Sequence, residues 1–266
     1  MMSKPVTVVL CLAVLWTWET FLPLIGSHEK RWRHAGRNLV IAVSNTVILG
    51  VLFAAATVAV AVWAAEQRMG LLHLLGLPSP WRWFVAILLL DGWLYVWHRL
   101  NHRLPLLWRF HRMHHSDGAM DVTTATRFHI GEHLGAGILR LGLIPLFGVM
   151  AVELLLYETL VVAVTMFHHA NISLGRFDRP LRWIVVTPKM HQIHHSRLRH
   201  ETDSNYSVLF SLWDRLACTY RMRRSGEVVR PGLDDFDDDR WQSVTGMLKT
   251  PFVDTSSALP ARRASE

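Results

Sequence analysis

The stretch His98-Arg-Leu-Asn-His102, followed eight residues later by His111-Arg-Met-His114-His115, decides how the rest of the chain is read. On a helix His98 and His102 lie one turn apart on one face, and His111, His114 and His115 repeat that geometry at i, i+3 and i+4. A third set, His191-Gln-Ile-His194-His195, has the same spacing. A lone His-x3-His pair carries little information. Here, however, 13 of the 16 histidines fall between residues 98 and 200, and eight belong to the three sets. Solvated surface residues would not produce the same triplet twice. The ligand type and spacing point to a nitrogen-rich metal site.

Outward from these sets the chain is apolar. Its 266 residues are 51% hydrophobic and its mean hydropathy is positive, which is unusual for a water-soluble domain. The net charge of +7 sits in short segments between apolar runs, as in membrane proteins, and forms no nucleic-acid recognition pattern. Cys11 and Cys218 provide no disulfide framework.

Residues 5–25 are apolar for about the 20 residues a spanning helix needs, and bulky Trp16 and Trp18 replace a cleavage site, so the segment reads as a retained first helix. Glu19 near its end reads as an interfacial residue. Residues 27–37, with Lys30, Arg31, Arg33 and Arg37, read as a cytoplasmic connector by the positive-inside tendency. A second run covers 38–65. The connector 66–82, holding a Gly-Leu-Pro-Ser-Pro breaker and a short LLHLLGL helix, then lies outside. A third run, 81–97, returns and delivers His98.

The run 134–167 is 34 residues long, and a straight helix of that length would reach about 50 Å, against a hydrocarbon core of roughly 30 Å. A single crossing would also strand the third histidine set on the opposite side from the other two. The run is therefore expected to enter and return as a helical hairpin turning near Gly142, Pro145 and Gly148. The fold expected is an all-α, multi-pass membrane bundle of about four spans or hairpins with a cytoplasmic, histidine-rich helical cap. Residues 1–80 form an N-terminal helical hairpin, 81–222 the catalytic unit, and 223–266 a polar, partly disordered tail. Its acidic run Asp234 to Asp239 is expected to be solvated.

Acidic residues inside spans are costly, which makes Asp91, two turns before His98, a candidate carboxylate for orienting a ligating ring. Glu158, about three turns before His169, can share that ring's face; a bundle-facing role with a polar partner fits it equally well. Eight histidines exceed one ion's needs, so two ions sharing a cluster are expected. Imidazole suits zinc, iron, copper and nickel, so spacing alone does not name the metal.

These residues resemble the three histidine boxes of the fatty acid hydroxylase superfamily, also called the sterol desaturase family, over about residues 85–221. The flanks are similar too: Asp91 through Tyr95, Trp108-Arg109-Phe110, Arg127-Phe128-His129 with Glu132, His169-Ala-Asn171, and Glu201-Thr-Asp203-x-Asn205-Tyr206 leading to Trp213-Asp214. The chain departs from the pattern at Ile130, where proline is usual, at Ser207, and at Ala217-Cys218; no box histidine is lost. The resemblance implies two Fe ions held by the eight box histidines, with His129 and His169 as further ligands and His168, His133 and His200 as neighbours. It implies supporting catalytic roles for Asp91, Asn171, Asp203 and Asn205. It also implies O2-dependent hydroxylation or desaturation of a lipid or sterol-like substrate within the membrane. The chain carries no haem or flavin motif, so a separate electron-transfer protein is implied. Other readings are a b-type cytochrome, a metal-binding or metal-transporting membrane protein, and a zinc hydrolase. The first expects histidines paired across mid-membrane, the second expects ligands lining the span centres, and the third expects His-Glu-x-x-His, which is absent.

Overall fold

In hydrocarbon, backbone N–H and C=O groups must find partners within their own segment, which is why long apolar runs close into helices. A computed structural model describes residues 4–26, 31–223 and 227–255. Four long apolar helices frame it: α1 (Lys4–Phe21), α2 (Arg31–Glu66), α6 (Ile130–Phe147) and α7 (Ala151–His169). Between them lie α3 (Leu71–Leu75), α4 (Trp81–Arg103) and α5 (Pro105–His115). Short helices follow: α8 (Asp178–Leu181), α9 (Pro188–His194), α10 (Arg199–Thr202), α11 (Leu212–Leu216) and α12 (Val244–Lys249). Among the described residues there is no strand, only isolated bridges such as Pro23 with Ile172 and Val185 with Phe210. The protein is an all-helical membrane bundle. Four segments, Lys4–Phe21, Arg31–Leu75, Ile130–Phe147 and Ala151–His169, are long and apolar enough to cross a membrane. The expected third span forms the first part of α4 and is not among these four; the two arms of 134–167 are.

The 134–167 run is a hairpin. Its turn falls at Gly148, in the left-handed region at φ 73°, whereas Gly142 and Pro145 remain inside α6. Met150 N–H donates to the Glu153 carboxylate at 2.9 Å, and Arg82, from the start of α4, donates to Glu153 (2.8 Å) and to the Gly148 carbonyl (2.8 Å). The turn before α3 packs against this one. A Cβ on Gly70 would stand 2.2 Å from Gly148 N, and one on Gly148 would stand 2.3 Å from Met69 O. Arg82 therefore fixes the starts of α4 and α7 together, and the two helices carry their C-terminal histidines to the same end of the bundle.

At that other end, three expectations change. The basic connector is helical from Arg31 onward; Lys30 lies outside the described residues. Two of its basic residues, Arg31 and His34, meet acids elsewhere in the chain. Arg31 stacks over Trp16 at 3.7 Å and bonds Glu19, and His34 sits between Asp117 (2.9 Å) and Asp121 (3.1 Å). Glu19 is buried rather than interfacial, and it accepts from the Val122 (3.1 Å) and Asn171 (2.9 Å) N–H groups. Glu158 is bound by Lys4 (2.7 Å) and Arg140 (2.6 Å), so it ties α1, α6 and α7 together.

The third change concerns the segment 227–255, which folds back onto the cap, although Asp234, Asp237, Asp238 and Asp239 stay exposed as expected. Asp234 and Asp237 pair with Arg197, Phe236 is buried, and Met247 packs with Ile41 and Met113. The buried Arg112 guanidinium donates to the carbonyls of Thr250 and Val253 and to the Thr255 hydroxyl. The expectation of disorder at the very end falls mostly on 256–266, outside the described residues.

The glycine pair gives a paired test. Gly148→Ala forces a side chain into positive φ against Met69 O, and it is expected to lower stability by about 2 kcal/mol or more. Gly142→Ala meets nothing within 4 Å and is expected to be neutral or stabilising by up to about 1 kcal/mol. Unfolding midpoints of the two variants in detergent check both.

Candidate metal centre

Local sequence delivers each ring. Leu104 is extended before Pro105, which ends α4 and starts α5 at its first position. His98 and His102 thus close one helix while His111, His114 and His115 occupy the next. Thr187 is extended before Pro188 in the same way, launching α9 with His191 and His194 inside it and His195 at its end. His169 comes from the last residue of α7. The loop after α5 is braced from outside. Arg127 donates to Met113 O (3.1 Å) and Ser116 Oγ (2.8 Å), and Asp117 reaches α2 through His34. Burial pushes against ionisation of Asp117, but His34 and Arg127 hold its carboxyl well below the usual carboxylate range.

The rings converge in two abutting groups. His98, His102, His111, His115 and His194 form one; His114, His169, His191 and His195 form the other, and all nine are buried. His115 of the first stacks on His195 of the second with centroids 4.4 Å apart. Facing Nε2 atoms are 3.0 Å apart for His98–His194, His114–His169 and His169–His191, and 3.2 Å for His111–His115 and His191–His195. Two imidazole nitrogens bound to one ion at about 2.05 Å, with an angle of 90–110°, stand about 2.9–3.4 Å apart. The observed edges fit that range.

Hydrogen bonds on the far side of the rings fix several tautomers. His98 Nδ1 donates to Tyr206 O, His194 Nδ1 to Ser204 O and His169 Nδ1 to Thr165 O, each at 2.7 Å. A carbonyl can only accept, so the proton sits on Nδ1 and Nε2 presents a lone pair. His98 and His194 therefore aim two lone pairs at each other across 3.0 Å. Burial, and then the neighbouring imidazoles, hold His114, His115, His191, His194 and His195 well below the usual imidazole range, so these rings are neutral at pH 7. A cation between such nitrogens satisfies them. The Nδ1 atoms of His114, His115, His191 and His195 are buried without a hydrogen-bond partner.

Other expected residues are placed as follows. Glu132 brings both carboxylate oxygens to 3.0 Å from His111 Nδ1, which makes it the orienting carboxylate; in the sequence it stands out only as part of a longer segment. Asp203 faces His102 Nδ1 at 3.6 Å and is held by Arg199 (2.9 Å). Asp91 departs from expectation: it accepts from Leu209 N, Phe210 N and Trp213 Nε1 (2.7 Å) rather than from an imidazole. Asn171 clamps the backbone of Ile25 through both amide atoms (2.8 and 2.9 Å). Asn205, in the left-handed region at φ 52°, binds Met190 O and the backbone of Arg221.

His129 lies outside both ring groups, and its Nδ1 accepts from Gly131 N at 3.0 Å, capping α6. His168 packs against His191 at a 40° tilt with centroids 4.0 Å apart, also outside both groups. Phe128 stacks on His114 (4.2 Å, 13°), and Trp108 closes the side of His102 (5.0 Å). Neither aromatic contact is marked by spacing in the sequence.

Comparison with known proteins places this arrangement. The fatty acid hydroxylase family matches residues 83–219, which is more than half of the chain and holds all nine rings. Ornithine lipid hydroxylase OlsE of Rhizobium tropici is 29% identical over 219 residues, covering 78% of this chain and 64% of that protein. Alkylglycerol monooxygenase of Danio rerio is 33% identical over 155 residues, covering 56% of this chain and 33% of that protein. Cholesterol 25-hydroxylase of Rattus norvegicus is 26% identical over 151 residues, covering 52% and 46% respectively. The chain thus spans less than two thirds of each of these relatives. No solved structure matches it. The chain belongs to the fatty acid hydroxylase family.

Proposed function

We propose that this protein is a membrane-embedded di-iron enzyme that uses O2 to hydroxylate a lipid or sterol-like substrate. The observation that carries the metal reading is the pair His98 and His194. Both have Nδ1 committed to carbonyls, and their Nε2 lone pairs face each other at 3.0 Å in a buried site. Only a cation makes that arrangement favourable. The family, and relatives whose names are hydroxylase and monooxygenase, support the reaction class. The first group would hold one iron and the second the other, and bound iron would supply the redox chemistry with O2. The overall balance for hydroxylation is RH + O2 + 2 e− + 2 H+ → ROH + H2O, so a separate electron-transfer protein delivers the two electrons. Desaturation begins with the same hydrogen abstraction and belongs to the same reading.

The chain's own residues orient and shield. Carbonyls of Tyr206, Ser204 and Thr165 and the Glu132 carboxylate set the direction of four rings, while Trp108 and Phe128 wall the rings from water. We assign the ring end to the cytoplasmic face. Arg31, Arg33 and Arg37 sit there, at the start of α2, as the positive-inside rule requires. We read residues 81–222 as the catalytic unit, with His129 and Asn171 as scaffold rather than ligand or catalyst.

Elemental analysis of protein made with iron supplied is expected to give about two irons per chain. His114→Ala and His194→Ala are expected to lower bound iron and abolish lipid hydroxylation while leaving membrane insertion unchanged. Full iron with full activity in either variant, or zinc alone in iron-replete protein, overturns the reading. Glu132→Gln is expected to weaken metal binding about 10–100-fold. Competition against a chelator measures it, and an unchanged affinity removes Glu132 from the orienting role.

A further inference from the structure

Beyond the histidines, the most chemically distinctive surface is a cleft of about 630 Å³ lined by Arg179, Arg182, Trp183, Asp214, Arg215 and Tyr220. We propose that this cleft binds the headgroup phosphate of an anionic phospholipid of the surrounding bilayer.

Two backbone segments form one ledge beneath the cleft. Val185 bridges Phe210, Ser211 N–H donates to Ile184 O (3.1 Å), and Arg215 donates to Arg182 O (2.8 Å). The Arg215 guanidinium lies over both Trp183 (4.2 Å) and Tyr220 (3.9 Å), which holds it flat along the cleft wall. Its Nε is buried without a hydrogen-bond partner.

The charge there is unbalanced. Arg182 has Asp178 at 3.3 Å, and Asp178 also accepts from the Thr187 hydroxyl (2.7 Å). Asp214 also lines the cleft, but its buried carboxylate accepts from Tyr206 N (2.8 Å), Ser207 N (2.9 Å) and Thr219 Oγ1 (2.7 Å). Arg179 is exposed and has no ion pair among the described residues. Three guanidinium groups thus stand beside two carboxylates, both of them engaged by other donors, and the remaining positive charge attracts a phosphate.

The ledge is tied to the helical bundle. Asp91 holds Leu209, Phe210 and Trp213, and it lies seven residues before His98 on α4, about 10 Å toward the bundle interior. Leu209 packs into the interhelical core with Leu90, Leu154 and Tyr157. The chain reaches the ledge from the ends of two candidate spans, since Ile172, just beyond α7, bridges Pro23, just beyond α1. Around the arginines the outward side chains are apolar: Trp183 is 65% exposed, Ile184 63% and Leu216 72%. Arginine, tryptophan and aliphatic side chains in one rim are the composition of a lipid headgroup boundary, and basic pockets at that level take anionic headgroups. This site is independent of the metal centre.

Native mass spectrometry of the full chain in detergent tests the proposal, using phosphatidylglycerol and phosphatidylcholine of identical acyl chains. Wild-type protein is expected to retain phosphatidylglycerol in preference to phosphatidylcholine. The double variant Arg179→Gln/Arg182→Gln is expected to lose at least about fivefold of that preference. Arg240→Gln, at an exposed site distant in sequence, is expected to keep it. Unfolding midpoints verify that the variants fold, and Arg179→Gln alone replaces the double variant if it does not. Equal retention of both lipids by wild type, or an undiminished preference in the folded variant, overturns the proposal. Displacement of the lipid by millimolar inorganic phosphate without any acyl-chain requirement marks a free-phosphate site and overturns it as well.

Discussion

Two neutral imidazoles that point lone pairs at each other inside a protein repel, and nothing in the surrounding side chains relieves His98 and His194 of that repulsion. The scaffold enforces it by giving each Nδ1 proton a backbone carbonyl. Those carbonyls belong to the 204–206 segment, which is held in turn by Asp214 and by the left-handed Asn205. The helices, the loop and the carboxylates behind the rings together keep nine imidazole rings in two buried groups whose geometry fits metal ions. On the proposed reading an ion relieves that repulsion, and folding and metal binding are linked.

The membrane framework makes that closeness possible. α4 and α7 start together at Arg82 and end together at the rings, while α6 returns from them to the glycine turn. Their alignment is fixed at the opposite end from the chemistry, where Gly70 and Gly148 let two turns approach more closely than any side chain permits. Asp91 adds a second tie halfway along α4, and it draws the 209–213 segment against the helices.

The ring sets were legible because a helix imposes its period on them: i, i+3 and i+4 spacing survives any tertiary arrangement. The hairpin was legible for a different reason, since a single crossing would have separated histidines that must meet. What could not be read was pairing over long sequence distances. The start of α2 looks like a loose basic connector because the partners of Arg31 and His34, which are Glu19, Asp117 and Asp121, lie elsewhere in the chain. Asp91 and Glu132 are both acids near boxes, and spacing favoured the wrong one as a ring partner. Glu132 sits 21 residues from His111, in the first turn of α6, and only the path of the intervening loop sets it beside that ring. Asn171 carries a family signature, yet its amide clamps Ile25, a contact invisible without the fold.

Arg112 lies between the ring-bearing residues His111 and His114, and its buried guanidinium is satisfied by carbonyls 138 and 141 residues further along. On a ribosome, all three boxes emerge well before those carbonyls exist. Until they do, the Arg112 guanidinium has water rather than those carbonyls as its acceptors, and α5 lacks the segment that covers it. The segment that completes the burial of Arg112 thus lies beyond all three boxes in the chain, so the helix carrying His111, His114 and His115 depends for its packing on residues made after the rings themselves.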